Sequence, residues 1–366
     1  MYSRSDFSED IFMQIMTIIL FLLFYLFCYY IENLKKYRNF VLFFFCSTLS
    51  IIAGCRSMDW NDTATYANSF KYTSTISEFS VSDTPYYAYD EVGFYFLSSI
   101  IRTFTSNYTT YFVVISVITF IFLYKSLRRY CIYPLLGLCV YIGRFFLSRN
   151  MMQIRAALAI VIIVFAIKWI EEKNLKKYAL YVLAGTLLHY TVIVALPFYW
   201  LNKIRYSNKS MLFITAVSFA IMIFLSPVYE NLLSAFVGEY MINYVDYVTE
   251  GNFNATGKGL SNLMIYYQLV IFLIYTIRED SLKNLIPYYY TIRNGYLYSI
   301  VILILLSPFL VLSGRLSTIF ATLEIFIVPA IFIGVNPRTR LVMVLCIGVA
   351  VAGIFYLNIL KLYPKI

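Results

Sequence analysis

Apolar runs long enough, or nearly long enough, to cross a bilayer recur along the chain at residues 11–31, 40–55, 108–124, 132–148, 154–170, 210–227, 262–277, 296–313, 316–334 and 341–360. A spanning helix needs roughly 20 mostly apolar residues, and these runs carry few charges inside them. The pattern predicts an all-α polytopic membrane protein, a bundle of about 10–12 transmembrane helices. Residues 178–201 decide how the bundle is threaded. A single crossing there puts the basic loops at 202–209, 278–284 and 336–340 on the opposite side from those at 32–39, 125–129 and 168–177. Lys/Arg-rich loops favour the cytoplasmic side. A hairpin of two short arms turning at Leu188–Tyr190 instead gathers all six basic segments on that side, and this is the expected arrangement.

Composition supports the membrane assignment and narrows the rest. Of 366 residues, 61% are hydrophobic and 13% charged, with a mean hydropathy of +0.74, which excludes an ordinary soluble domain. The spans and their connections use up the length, so residues 1–366 read as one integral membrane domain with longer extracytoplasmic loops at about 56–107 and 228–261. The net charge of +10 would suggest nucleic acid in a soluble protein, but here it follows from the basic loops, and no nucleic-acid partner is expected. The run at 11–31 is too long for a signal-peptide core and reads as an uncleaved first span. Cys28, Cys46, Cys55, Cys131, Cys139 and Cys346 lie in or beside apolar segments without CxxC spacing, so they read as small packed side chains.

On this threading the cytoplasmic loops hold most of the Lys and Arg, and the arginines left over fall at or just inside the outer ends of spans. They include Arg56, Arg102, Arg144, Arg149, Arg155 and Arg315. An arginine at the centre of a membrane helix costs about 2.5–3.5 kcal/mol even on insertion scales, so something must compensate. Three accounts compete. Arginines near helix ends can snorkel to headgroups, the plain reading of Arg102 and Arg149. They can pair with acids such as Asp59, Asp62 or Glu324. Or they can bind an anionic ligand, since the guanidinium fork matches phosphate oxygens. For Arg144, Arg155 and Arg315 the phosphate reading is preferred, with Arg144 and Arg155 facing each other across the outer turn "SRNMMQ".

Five motifs in order resemble the EpsG/Wzy-type polysaccharide polymerases. "GCRSMDWNDTATYANSF" (residues 54–70) is similar to a G-x-R-x5-D-x3-Y element and supplies Arg56, Asp62 and Tyr66; "DEVGFYFLSSII" (90–101) resembles an E-x-G element with Glu91 and Gly93. "MMQIRAALA" (151–159) resembles a helix start and gives Arg155, "LLHYTVIVALP" (187–197) gives His189, and "SGRLSTIF" (313–320) gives Arg315. Two positions depart from the pattern: the glycine usual before the aspartate is missing from "MDWND", and Ala156 replaces the usual glutamine. The resemblance implies a helical plan like that of the lipid-dependent (GT-C) glycosyltransferases.

It also implies a reaction. A growing polysaccharide on undecaprenyl pyrophosphate would pass as a block to a sugar hydroxyl of a second lipid-linked repeat, giving O-antigen or exopolysaccharide at the outer leaflet of the bacterial inner membrane. Arg56, Arg144, Arg155 and Arg315 would grip the pyrophosphate, where preorganised donors stabilise the developing charge. Asp62, Glu91 or His189 would serve as base, and Tyr66, Tyr244 and Tyr247 are expected to contact sugar. The single histidine and the absence of clustered acids at metal spacing favour a metal-free mechanism without a cofactor, with a divalent ion on Asp59 and Asp62 as the alternative. Partners would be the donor and acceptor lipids, surrounding membrane lipids and a chain-length regulator. A lipid-linked oligosaccharide flippase and an O-antigen ligase are the alternatives. A flippase should line a central cavity with arginines from two similar halves, a repeat this sequence lacks.

Overall fold

The structure, a computed structural model, describes residues 4–86, 90–224 and 259–362. Among these residues the chain is helical and has no β-strand. The helices are α1 (Arg4–Asn33), α2 (Lys35–Gly54), α3 (Thr63–Lys71), α4 (Val92–Phe104), α5 (Tyr108–Tyr130) and α6 (Pro134–Tyr141). A wide π-type segment at Ile142–Phe146 joins α6 to α7 (Leu147–Asn150). Then come α8 (Ile154–Ala166), α9 (Lys168–Glu171), α10 (Leu175–Leu188), α11 (Phe198–Leu201) and α12 (Asn208–Phe224). The remainder are α13 (Leu263–Ile277), α14 (Glu279–Leu282), α15 (Tyr289–Leu305), α16 (Leu310–Ala321), α17 (Glu324–Ile327) and α18 (Pro337–Leu362).

Five of the helical stretches are long and apolar enough to span a bilayer on their own: Gln14–Asn33, Lys35–Gly54, Tyr108–Tyr130, Val311–Ala330 and Pro337–Leu362. The protein is an all-α polytopic membrane protein. The other expected spans are shorter or broken, because turns and the π segment interrupt them, and such breaks are tolerated where the loosened backbone is buried in protein. Helix α8 is buried on nearly every side, packed by α5 and α10, which accounts for its unbroken apolar sequence. By contrast α1, α2 and α18 show large apolar side chains outward, including Leu20, Leu23, Phe40, Phe43, Val349 and Leu357. These are the lipid-facing helices.

Residues 175–201 form a hairpin. Helix α10 ends at His189, which is extended, and the chain returns through a 3₁₀ turn at Tyr190–Ala195. The Tyr178 hydroxyl, near the start of the first arm, donates to the Ala195 carbonyl in the second at 2.8 Å. The two arms therefore lie side by side. Contacts also link residues in or next to the six basic segments at one end of the bundle. Arg38 reaches the Ile132 carbonyl, Arg340 the Tyr133 hydroxyl, Thr291 the Glu171 carboxylate, Arg293 the Tyr206 carbonyl and Arg278 the Ile331 carbonyl. The rings of Tyr130 and Tyr288, which follow the second and fifth segments, lie 5.4 Å apart.

The segment at 56–107, expected as a long loop, contains α3 and α4 and has its own aromatic core. Phe70 stacks on Tyr111 at 4.1 Å, and Phe94, Tyr95 and Phe112 are buried beside them. Tyr244, Tyr247 and most of the loop expected at 228–261 lie outside the described residues. Cys55 and Cys346 are exposed, a departure from the expected burial of all six thiols; Cys55 follows the end of α2 and Cys346 lies on the outer face of α18, and all six are free.

Candidate functional site

Two polar clusters lie inside the bundle. The first is at the end away from the basic segments, and its position follows from a close approach of α4 and α10. A Cβ added at Gly93 would lie 2.6 Å from the Leu187 Cβ and 2.8 Å from its carbonyl oxygen, distances that real side chains do not tolerate. Glycine at 93 thus lets Glu91, just before α4, meet His189, just after α10. His189 Nδ1 lies 3.0 Å from Glu91 Oε1. The other oxygen of Glu91 accepts from Arg155 Nη1, in the first turn of α8, and Arg155 Nε donates to the Tyr66 hydroxyl at 3.2 Å.

Asp62 and Arg315 complete this cluster. Arg155 and Arg315 both act electrostatically on Asp62 and on His189, so the two guanidiniums, the carboxylate and the imidazole share one neighbourhood. Asp62 precedes α3 with φ +64°, in the left-handed region that non-glycine residues rarely occupy. Its side chain forms no cap to α3. Strain of this kind costs of order 1–3 kcal/mol and tends to occur where a site requires it. Although Asp62 is partly exposed, the protein around it pushes its carboxyl above the ordinary value, and Arg155 and Arg315 pull the other way.

The second cluster lies deeper. Glu324 is 0% exposed and accepts from the Tyr267 hydroxyl at 2.6 Å and the Tyr296 hydroxyl at 3.2 Å, with Arg144 Nε at 3.7 Å. Arg149 belongs to it too. At 3% exposure it donates to Thr322 Oγ1 at 2.7 Å and to the Thr318 carbonyl at 2.6 Å, and its guanidinium lies on the Phe145 ring. Helix α16 connects the clusters, since the charge of Arg315 acts on the first while Thr318, and Thr322 just past the helix end, hold the second.

Of the residues predicted from sequence, Asp62, Glu91, Arg155, His189 and Arg315 come together. Tyr66 joins them through its hydroxyl, the others do not, and three expectations are corrected. Arg144 does not face Arg155 across the outer turn, because Glu324 holds it in the deeper cluster. Arg149 is not a headgroup anchor, since its side chain is buried and engaged by α16. Arg56 donates through Nε to Thr63 Oγ1 and through Nη1 to the carbonyls of Ala53 and Asn150, lies 3.9 Å above the Phe112 ring, and keeps Nη2 without a hydrogen-bond partner among the described residues. Tyr66, 1% exposed, presents no ring face to a sugar, and its hydroxyl serves Arg155. Arg102, read as an anchor, lies 5.6 Å over the Phe70 ring.

Tyr267 and Tyr296 were not singled out in the sequence. With 36 tyrosines in the chain, nothing in it marks these two as partners of a buried carboxylate. Glu324 carried a signal, an acid within an apolar run, but its observed partner is Arg144, at a distance in sequence that no local pattern reveals.

The fold and site define a polytopic helical membrane protein with a buried arginine–carboxylate–histidine cluster at one end of its bundle. The model of the EpsG family matches residues 39–364. The chain belongs to the EpsG family, the family of Wzy-type polysaccharide polymerases. No curated protein and no solved structure matches it significantly.

Proposed function

We propose that this protein is a glycosyltransferase that joins undecaprenyl-pyrophosphate-linked oligosaccharide repeat units. It would act at the outer leaflet of the bacterial inner membrane and pass the growing chain as a block to a sugar hydroxyl of the next repeat. Family membership supports a polymerase of polysaccharide in general terms. The observation that carries the finer reading is Glu91, which binds Arg155 with one oxygen and His189 with the other. The gathering of the basic segments at the opposite end supports a periplasm-facing site, because basic loops favour the cytoplasm.

In this mechanism Glu91 accepts a hydrogen bond from the Nδ1–H of His189 and leaves the Nε2 lone pair for the acceptor hydroxyl. The hydroxyl proton moves to Nε2 as its oxygen bonds to the anomeric carbon of the donor. The bond from that carbon to the diphosphate oxygen breaks, and its electron pair leaves with the lipid diphosphate. Charge grows on the departing oxygen, where Arg155 and Arg315 stabilise it without reorganising. His189 then returns its proton to solvent on the outer side. Asp62 is the counter-ion of the two guanidiniums and positions them for the diphosphate; Arg56 holds the loop that carries it, through Thr63. Arg144, tied to Glu324, supports the bundle behind the site. The reaction as written needs no cofactor or metal ion. A chain-length regulator in the membrane is an expected partner.

Deletion of the gene tests the reading against the transporter and ligase alternatives. Surface polysaccharide reduced to single repeats supports a polymerase. Loss of all repeats from the outer surface would indicate a flippase, and long chains left on the lipid carrier would indicate a ligase.

A further inference from the structure

At the end of the bundle opposite His189 lies a cavity of about 610 Å³, bordered by Glu171, Lys173, Tyr199, Lys203, Arg205 and Asn294. The 14-residue helix α10 separates the two places, roughly 20 Å at 1.5 Å per residue, so this cavity is no part of the site above. We propose that it binds the headgroup of an anionic phospholipid, a phosphate ester carrying free hydroxyls, as in phosphatidylglycerol.

The walls carry a hydrogen-bond chain whose direction is fixed. The Thr291 hydroxyl donates to Glu171 Oε1, Asn202 Nδ2 donates to Thr291 Oγ1 at 2.8 Å, and Asn294 Nδ2 donates to Asn202 Oδ1 at 3.2 Å. Asn294 Nδ2 also lies 3.3 Å from the Ile204 carbonyl, which fixes the amide the same way round. Its Oδ1 is left as a buried acceptor, on a residue 4% exposed, with no hydrogen-bond partner among the described residues. Such an atom costs about 1–3 kcal/mol unless a donor reaches it. Asn294 lines the cavity, so a hydroxyl of its occupant is the donor assigned to this atom.

The charges specify the remainder of that occupant. Lys173, Lys203 and Arg205 make no ion pair among the described residues, whereas nearby Arg293 is already matched by Glu279 at 2.7 Å. Lys203 and Arg205 lie over the walls, 5.1 Å from the Tyr199 ring and 5.3 Å from the Tyr290 ring. Three cationic side chains against the single carboxylate of Glu171 call for an anion. A bare phosphate would leave Asn294 Oδ1 unmet and meet Glu171 unfavourably. An ammonium headgroup supplies a donor but adds positive charge to a site already in excess. A phosphodiester with hydroxyls satisfies all of these groups: its phosphate takes the cations and its hydroxyls donate to Asn294 and Glu171. Positive residues at a membrane surface recruit such lipids in general. The buried amide is what turns recruitment into a site.

The test uses the full-length protein purified in detergent and native mass spectrometry with phosphatidylglycerol, phosphatidylethanolamine or glycerol 3-phosphate. Phosphatidylglycerol is expected to be retained roughly tenfold better than phosphatidylethanolamine, the scale of one charge-assisted hydrogen bond. A Lys203→Gln/Arg205→Gln double variant, whose changes are exposed and spare the core, loses that preference. Asn294→Leu weakens retention as well, with a melting temperature recorded to show that it folds. Glycerol 3-phosphate bound in place of the lipid, and lost in the double variant, supports the same pocket chemistry with a soluble occupant. Equal retention of the two lipids, undiminished binding in both variants, or binding of neither phosphatidylglycerol nor glycerol 3-phosphate overturns the proposal.

Discussion

His189 Nδ1 lies 3.0 Å from Glu91 Oε1, joining the only histidine of the chain to a carboxylate 98 positions earlier. A carboxylate in this position fixes which ring nitrogen carries the proton. Glu91→Gln keeps the shape but removes the charge, and the amide can present a donor to Nδ1. The transfer rate is expected to fall at least about 100-fold, as when a general base is lost. The acid-side limb of the pH profile, where the His189 base loses its proton, should move while KM for the acceptor changes little. A merely structural Glu91 would instead lower the melting temperature and leave the profile in place.

Gly93→Ala tests how the pair is assembled. Its new methyl would press on the Leu187 backbone, forcing α4 from α10. Overpacking costs about 1–3 kcal/mol, so a melting temperature lowered by several degrees is expected, together with loss of transfer. Thermal unfolding in detergent and a chain-length gel check the two effects.

Arg155→Lys keeps a positive charge and loses the fork that reaches Glu91 and Tyr66 together. A drop in transfer of about 100–1,000-fold is expected, the range for losing one preorganised donor. Full activity with lysine would show that charge alone suffices. Measured rates on lipid-linked repeats decide.

Asp62 ties stability to pH. Its carboxyl is raised above the ordinary 3.8, so the folded protein holds that proton more tightly than the unfolded chain does. Stability from this group is therefore greatest at low pH and declines as pH rises from about 3.8 through the raised value. Asp62→Asn should remove that part of the slope in melting temperature against pH. A slope unchanged by the substitution would contradict the assignment.

Removal of the Glu324 carboxylate, as in Glu324→Ala, leaves Arg144 buried without its counter-ion and strips Tyr267 and Tyr296 of their acceptor. A loss of about 3–5 kcal/mol is expected, as for other broken buried pairs, read as a lower melting temperature. Glu324→Gln combined with Arg144→Met should recover much of it, since two apolar or neutral groups of similar volume replace the pair.

Much of this was legible in the sequence, for identifiable reasons. Hydropathy marked the membrane helices because lipid leaves no other way to satisfy the backbone, and the placing of basic loops marked the hairpin at 178–201. Motif order brought out Asp62, Glu91, Arg155, His189 and Arg315, which the fold gathers. The partners of each arginine were not legible. Arg144 meets Glu324 and Arg155 meets Glu91 through helix packing across 180 and 64 positions, which no local periodicity encodes. Nor could sequence separate Arg149, buried against α16, from an arginine reaching for headgroups, because both stand near helix ends in apolar sequence.

The central claim is that His189, aligned by Glu91, takes the acceptor proton while a lipid diphosphate departs. The most direct measurement reconstitutes the purified protein with lipid-linked repeats and counts released undecaprenyl diphosphate against new sugar linkages. One diphosphate per linkage is expected, and His189→Ala should lower both at least about 100-fold while melting like the parent. Linkages formed at the parental rate without His189, or repeats carried across the bilayer with no diphosphate released, would contradict it.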